Sequence, residues 1–421
     1  MTSNSGLSQS CGSCGTAHPE RDPRVSCAAC GGLLELHQPA PTAGAAALKT
    51  TWRARAGSGV WRFQEVVLPM VSAGDIISHP EGNTPLLSRQ ALSDWAGIPT
   101  LRFKHEGHNP TGSFKDRGMT VAVTQARRIG ARAVACASTG NTAASLAAYA
   151  AQAGIPALVL MPEGKVAEGK LAQSIAYGAR VIQVDGDFDA CLRLAGEAAR
   201  ELGVYLANSV NPFRLEGQKT IILEMLQQRD WEPPDWIAVP AGNLGNTAAF
   251  GKALEEAHAW GLIDRLPRLL AVQAAGAAPF AQAFAGDFRE RIAVEAETIA
   301  TAIRIGAPAS WDRGVRAIRR TNGIVTMVTD DEILEAKAHI DAAGVGCEPA
   351  SAASLAGIRR LARTGTIAPG DQVVAVLTGH LLKDPGVVLD YHLHREPAPA
   401  RANRPLRIPA TLRALERAMQ L

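Results

Sequence analysis

Ala131-Arg132-Ala133-Val134-Ala135-Cys136-Ala137-Ser138-Thr139-Gly140-Asn141-Thr142 is the stretch that decides the fold. Ala131–Ala137 is a short apolar run of strand type, and Ser138–Thr142 is a turn that opens the next element. Thr142–Ala153 follows as an Ala-rich helical pattern, stopped by Gly154 and then Pro156. The alternation continues outward. Ala157–Met161 reads as a strand, Ala167–Tyr177 as a helix closed by Gly178, and Arg180–Val184 as a strand. Asp187–Leu202 is a helix closed by Gly203, Trp236–Val239 a strand running into Gly242, and Val373–Leu377 another apolar strand. Glycine recurs just past each helix, where a left-handed residue is needed. Strands alternating with helices predict an α/β protein, with parallel sheets covered on both faces.

At 421 residues the chain is too long for one compact core and suits two packed lobes plus an appendage. Apolar residues make up 47% and charged residues 20%, a globular balance. The net charge is +3, from 43 basic and 40 acidic residues, which argues against a nucleic-acid or membrane partner. The most apolar stretch, Ala143–Met161, is interrupted by Gln152, Gly154 and Pro156, whereas a bilayer span needs about 20 unbroken apolar residues. Met1-Thr2-Ser3-Asn4-Ser5-Gly6 has neither the basic nor the apolar region of an export signal, so the cytoplasm is expected. There, paired cysteines bind metal more readily than they form disulfides.

Four of the seven cysteines fall in residues 1–38. Cys11-Gly12-Ser13-Cys14-Gly15 and Cys27-Ala28-Ala29-Cys30-Gly31 make two Cys-x2-Cys pairs, the spacing of a tetrahedral zinc site. The Gly after each pair permits a turn that aims amides at sulfur. Nearby Arg21 and Arg24 are offset by Glu20 and Asp22, so a structural clip is expected rather than a nucleic-acid reader. Cys136, Cys191 and Cys347 lie in apolar runs and read as core. Pro39-Ala40-Pro41-Thr42-Ala43-Gly44 follows as a linker, and the Arg/Pro/Ala-rich tail after Tyr391 reads as peripheral.

Two glycine-rich segments mislead. Gly164-Lys165-Val166-Ala167-Glu168-Gly169-Lys170-Leu171 matches a P-loop up to its Lys, but Leu171 replaces the hydroxyl that would bind magnesium. No strand is followed by Gly-x-Gly-x-x-Gly, so a nicotinamide site lacks support.

Four motifs carry chemistry. Asn109-Pro110-Thr111-Gly112-Ser113-Phe114-Lys115-Asp116-Arg117-Gly118 is a turn and a helix start, with Ser113 placed to cap it. A lysine in isolation is compatible with a surface ion pair, but beside a positive helix end its pKa should fall and leave a nucleophilic amine. Ser138-Thr139-Gly140-Asn141-Thr142 ends a strand, where ligands of open α/β sheets bind, although a simple capping turn would look the same. Ala241-Gly242-Asn243-Leu244-Gly245-Asn246-Thr247 repeats this arrangement as a candidate phosphate cradle. Thr378-Gly379-His380-Leu381-Leu382-Lys383-Asp384-Pro385 closes the set after a further strand, and capping alone would also explain Thr378.

Taken in order, with Gly82-Asn83-Thr84-Pro85-Leu86 and Glu348-Pro349-Ala350-Ser351, these motifs resemble fold type II pyridoxal-phosphate enzymes. Asn208-Ser209-Val210-Asn211-Pro212-Phe213-Arg214-Leu215-Glu216-Gly217-Gln218-Lys219-Thr220 narrows the resemblance to the threonine synthase family, over about residues 75–390. The resemblance implies a tryptophan synthase β-like fold of two three-layer α/β lobes plus a small N-terminal zinc ribbon. Residues 39–99 and 216–421 would form the larger lobe and 100–215 a smaller, mobile one.

The resemblance also implies roles. Lys115 would hold pyridoxal 5'-phosphate covalently and later move protons. Asn141 would bind its phenolic oxygen, and Thr378 would meet its pyridine nitrogen. Gly242, Asn243, Leu244, Gly245, Asn246 and Thr247 would hold its phosphate. Ser138, Thr139 and Thr142 would surround the substrate carboxylate, and Lys170, Asn208, Ser209, Arg214 and Asn243 the substrate phosphate. The implied reaction converts O-phospho-L-homoserine and water to L-threonine and phosphate, in a homodimer, and the departing phosphate can act as a base in that family. Leu381 departs from the family, which often has Gly there. A cysteate synthase-like replacement on a phosphorylated amino acid keeps the same phosphate grip. A dehydratase has no need of Arg214 or Lys170, and intact Lys115 disfavours a non-catalytic zinc-ribbon scaffold.

Overall fold

The computed structural model describes residues 6–164 and 168–419, with backbone only for 168–170. The chain opens with an antiparallel ribbon of β1 (Ser8–Cys11), β2 (Ala17–His18) and β3 (Leu34–His37), with β1 in the middle. Next come β4 (Leu86–Leu87) and β5 (Arg102–His105). A four-stranded parallel sheet is then built from β6 (Ala133–Ala137), β7 (Ala157–Pro162), β8 (Arg180–Val184) and β9 (Val204–Leu206), in the order β8-β7-β6-β9. Finally β10 (Trp236–Pro240), β11 (Arg268–Ala274), β12 (Ile324–Val328) and β13 (Val373–Leu377) join β5 and β4 in a six-stranded sheet, ordered β12-β11-β10-β13-β5-β4. Only the β4–β5 pair is antiparallel there. The α/β expectation holds.

Individual boundaries agree within two residues where the sequence signal was strong. The first strand begins at Ala133 rather than Ala131, and its helix at Asn141 rather than Thr142. Gly154, Gly178 and Gly203 all adopt φ near +70° (67°, 78° and 67°), as helix stops require. The helix expected over Ala167–Tyr177 is described as Glu168–Ala176, and residues 165–167 of the false P-loop lie outside the described residues. β5 lies inside the stretch 100–215 yet pairs with β13 and β4, because its apolar Phe103 completes the core of the larger sheet.

Both sheets reverse direction of growth once. In the smaller, the chain builds β6, β7 and β8 outward and then returns to add β9 on the other side of β6. In the larger, β10, β11 and β12 run one way and β13 is added against β10 on the other. Such switch points leave a crevice at the strands' C-terminal ends. Ser138–Thr142 and Asn208–Ser209 follow β6 and β9, while Gly242–Thr247 and Thr378 follow β10 and β13. All four loops therefore lie at reversal points.

One buried ionic group joins several of the motifs. Arg117 Nε donates to Glu106 at 2.6 Å and Nη2 to Glu224 at 2.8 Å, while Lys104 Nζ meets Glu224 at 2.6 Å. None of these side chains is more than 1% exposed. Glu224 also accepts the amides of Asn83 (2.8 Å) and Thr84 (3.0 Å), and Asn109 Oδ1 accepts that of Gly82 (2.8 Å). Two positive and two negative charges thus cancel in the interior and fix the Gly82–Leu86 loop to the helix Lys115–Arg128.

Asp384 onward forms a second compact unit, containing the helices Pro385–Leu389 and Leu412–Ala418. Among the described residues, no helix is long and apolar enough to cross a membrane. Arg117→Leu should lower unfolding free energy by about 3–5 kcal/mol, since it removes the ion-pair partner of buried Glu106 and leaves Glu224 with Lys104 alone. Urea denaturation checks this, and a loss below about 1 kcal/mol would contradict it.

Candidate active site

Lys115 is the first residue of its helix, and the main chain around it is stitched to the end of β13. Phe114 N donates to Thr378 O at 3.0 Å, His380 N donates to Gly112 O at 2.9 Å, and Ser113 bridges Gly379. This pairing corrects the expected cap. The Ser113 hydroxyl makes no hydrogen bond, and the helix starts after Phe114 without a side-chain cap. Asp116 instead accepts from Thr111 N (2.7 Å), Thr111 Oγ1 (2.6 Å) and Ser145 Oγ (2.6 Å), and burial still pushes its carboxyl up to about 6.

The Lys115 amine lies 4.2 Å from the centre of the Phe114 ring. Burial and then the Arg214 charge lower its pKa to about 7, against a smaller opposing pull from Glu348. A neutral amine is the nucleophilic form, so this lysine is set up to react near neutrality.

Arg214 comes within reach through a backbone crossing. Its helix, Pro212–Gln218, starts with Asn211 Oδ1 accepting the Phe213 and Arg214 amides. The helix then crosses that of Lys115 so closely that a Cβ on Gly217 would run into the Arg117 carbonyl, and one on Gly118 would stand 3.0 Å from the Arg214 carbonyl oxygen. Glycine is required at such contacts. The Arg214 side chain is fully buried, Nη1 donates to Ala207 O at 3.1 Å, and Nε and Nη2 have no partner. Burial without a carboxylate pulls this guanidinium down to about 10. A buried arginine with two unpaired donor groups has the chemistry to hold an anion.

In the smaller sheet's loops, Ser138 Oγ accepts Gly140 N at 3.2 Å, and Thr139 and Thr142 are half-buried beside it. Asn208 exchanges both ends of its carboxamide with Ala137, Nδ2 to O at 3.0 Å and Oδ1 from N at 3.0 Å, which extends the β6–β9 pairing by side chain. One Nδ2 hydrogen is left for a ligand, and the half-buried Ser209 follows. The Lys170 side chain lies outside the described residues.

On the larger sheet, Leu244 takes the left-handed conformation (φ 62°) and turns the chain into the helix Gly245–Ala259. Asn243 Oδ1 accepts Ala309 N at 3.1 Å, which fixes the loop. Asn246 Oδ1 and Thr247 Oγ1 are buried without partners at the first turn of this helix. A Cβ on Gly242 would stand 3.0 Å from Ile303 Cα. Unpaired polar atoms at a long helix's positive end, reached by a glycine turn, fit a phosphate-bearing cofactor.

Asn141 and Thr378 converge on one carboxylate that sequence reading quoted without a role. Asn141 Nδ2 donates to Glu348 Oε2 at 2.9 Å, and Thr378 Oγ1 to Glu348 Oε1 at 3.2 Å. Burial pushes the Glu348 carboxyl up, against the pull of those two hydrogen bonds. Ser351 Oγ lies 2.9 Å from Thr378 Oγ1 and accepts the Thr378 and Gly379 amides. Glu348 directly precedes the helix Pro349–Arg363 without capping it by its side chain, a position legible as Glu-Pro before a helical run. Gln218, with Oε1 buried and unpaired, was also missed. Leu381 packs on Gly346, 3.3 Å from where a Cβ there would be.

One parallel and one mostly parallel sheet, with ligand-type loops at their reversal points and joined by Asn141–Glu348 and Phe114–Thr378, define the α/β frame of an enzyme with a buried lysine between them. The chain belongs to the pyridoxal-phosphate dependent enzyme family, which it matches over residues 77–379. It is 46% identical to a threonine synthase of Methanocaldococcus jannaschii, over 90% of this chain and 94% of that protein. It is 52% identical to a threonine synthase of Mycobacterium tuberculosis, over 73% and 84%. Threonine synthase from Escherichia coli shares the fold at TM-score 0.68 with 21% identity, covering 93% of this chain and 94% of that one. Maize serine racemase does so at 0.61 with 24% identity, over 76% and 93%. In the apoprotein, modification of Lys115 by an amine-directed reagent should rise through a midpoint near pH 7. A midpoint near the ordinary lysine value of about 10 would refute the depressed pKa.

Proposed function

We propose that this chain is a threonine synthase, releasing phosphate from O-phospho-L-homoserine and adding water to give L-threonine. The observation that carries this reading is the fully buried Arg214, two of whose donor groups lack partners, on a helix that crosses that of Lys115. The threonine synthases at 46% and 52% identity support the same conclusion.

Bound pyridoxal phosphate supplies an electron sink for charge developing at the substrate's α-carbon. Lys115 would anchor it and, with its amine freed once the substrate's own amine takes that place, would take and return the proton at that carbon. Asn246, Thr247 and the amides after Gly242 hold the cofactor's phosphate, while Asn141 and Thr378 orient its ring. Ser138, Thr139 and Thr142 bind the substrate carboxylate. Arg214 grips the substrate phosphate in a fork, joined by Lys170, Asn208, Ser209 and Asn243. The smaller lobe, built on β6–β9, closes over the cleft and excludes water from reactive states.

The four N-terminal sulfur atoms support a structural zinc ion, since Cys11, Cys14, Cys27 and Cys30 bring their Sγ atoms within 4.8 Å of one another. Gly15 and Gly31 turn at φ 74°, and amides of Ser13 and Ala29 point at sulfur at 3.4 Å. Cys136, Cys191 and Cys347 are buried and lie outside this cluster.

Arg214→Ala should retain the visible band of the lysine-linked cofactor while lowering kcat/KM for phosphohomoserine by about 100-fold or more. Unchanged kinetics would contradict the phosphate role. Phosphate and threonine release from phosphohomoserine, compared with turnover of phosphoserine plus sulfite, tests the substrate itself. Titrating the protein with a mercurial in the presence of a zinc indicator should release one zinc per chain, and Cys14→Ser should lose it.

A further inference from the structure

Arg214 has neighbours on its own helix that the reaction does not use. Glu216 is buried to 1% exposure, and three groups from three different elements hold it. Lys219 Nζ meets Glu216 Oε2 at 2.6 Å and Glu256 Oε2 at 2.7 Å. Lys252, on the helix that begins at the cofactor loop, pairs with Glu216 Oε1, and its Nζ donates to the Leu36 carbonyl of β3 at 2.6 Å. Gln38, one residue past β3, donates from Nε2 to Glu216 Oε2 at 3.0 Å and to Val67 O at 2.9 Å. Both oxygens of one buried carboxylate are thus tied to the ribbon's last strand, directly by Gln38 and through Lys252.

The ribbon is itself secured elsewhere. Arg313 donates to the Leu34 carbonyl, Arg316 meets Glu35 at 2.7 Å, and Arg128 meets Glu20 at 2.6 Å. The helix bearing Arg214 has only two turns and no ion pair of its own to that guanidinium. Phe213 and Leu215 pack it into the core, Asn211 and the glycine crossing fix its ends, and Glu216 ties its other face.

We propose that Glu216 is a positioning residue for Arg214, and that the N-terminal ribbon, acting through Gln38 and Lys252, sets the geometry of the substrate-phosphate grip. This rests on the phosphate role proposed for Arg214. The ribbon then contributes to binding the phosphorylated end of the substrate, at a distance from its own cysteines, rather than serving only as a clip at the chain's start. A side chain that tunes a bidentate grip changes ligand affinity more than the chemistry at the α-carbon.

The test uses the holoenzyme and three variants: Glu216→Gln, Lys252→Met and, as reference, Arg214→Ala. Inorganic phosphate binding is read by calorimetry, KM and kcat by turnover, and folding by Tm and the cofactor's visible band. The expected result is phosphate binding weaker by about tenfold in Glu216→Gln and Lys252→Met, KM raised to match and kcat within about twofold, with band and Tm near the parent's. If Arg214→Ala weakens phosphate binding but the folded Lys252→Met and Glu216→Gln proteins do not, the positioning role is overturned and the function stands. If Arg214→Ala itself leaves phosphate binding intact, the phosphate role falls, and this inference with it. Should Glu216→Gln not fold, Lys252→Met, a quarter-exposed position, decides the question.

Discussion

The neutralised charge group around Arg117 is the constraint on which the rest of the site depends. Its guanidinium is two residues from the reactive amine, and its partners lie on three other segments: Glu106 after β5, Glu224 on the helix Thr220–Gln228, and Thr84 in the Gly-Asn-Thr-Pro loop. Desolvating four charges is unfavourable unless every partner is in place, so the arrangement is close to all-or-none. Segments distant in sequence are thereby held in one register, and Lys115 emerges from it at a fixed point. The motif is legible as chemistry because of Lys115, but Arg117 is what locates it.

The environment of that amine follows from the same economy of contacts. It lies near two ionisable neighbours of opposite sign, Arg214 and Glu348, and is itself desolvated. Loss of hydration outweighs the favourable carboxylate, so the proton is held loosely. Arg214 is likewise left without a counter-charge in the interior, and its low pKa has the same cause. Each of these two side chains, desolvated as a cation, would gain from a negative charge placed beside it.

Much of this was readable from the chain. Strand ends and helix stops were visible because Gly154, Gly178 and Gly203 are needed for left-handed turns, and the reactive loops were visible because they follow apolar strands. Ser113 was misread since a serine before a helix resembles a cap, and only the pairing with Gly379 shows that its backbone is committed to a strand end. β5 was missed because Arg102–His105 carries a single apolar residue and a buried lysine whose charge is cancelled at a distance. Glu348 and Glu216 could be seen as residues but not as contacts. Apart from the local pair of Glu216 with Lys219, each acquires its meaning from partners dozens to hundreds of positions away, which no local period encodes.

The crossing of Gly118 over Gly217 has a further consequence. With no side chain between them, the two helices meet backbone to backbone, so the anchor for the α-carbon and the fork for the far end of the substrate share one stiff frame. Under the roles proposed here that frame is a ruler. The span that a substrate must bridge is then set in part by the main chain, at the close approach of Gly118 and Gly217.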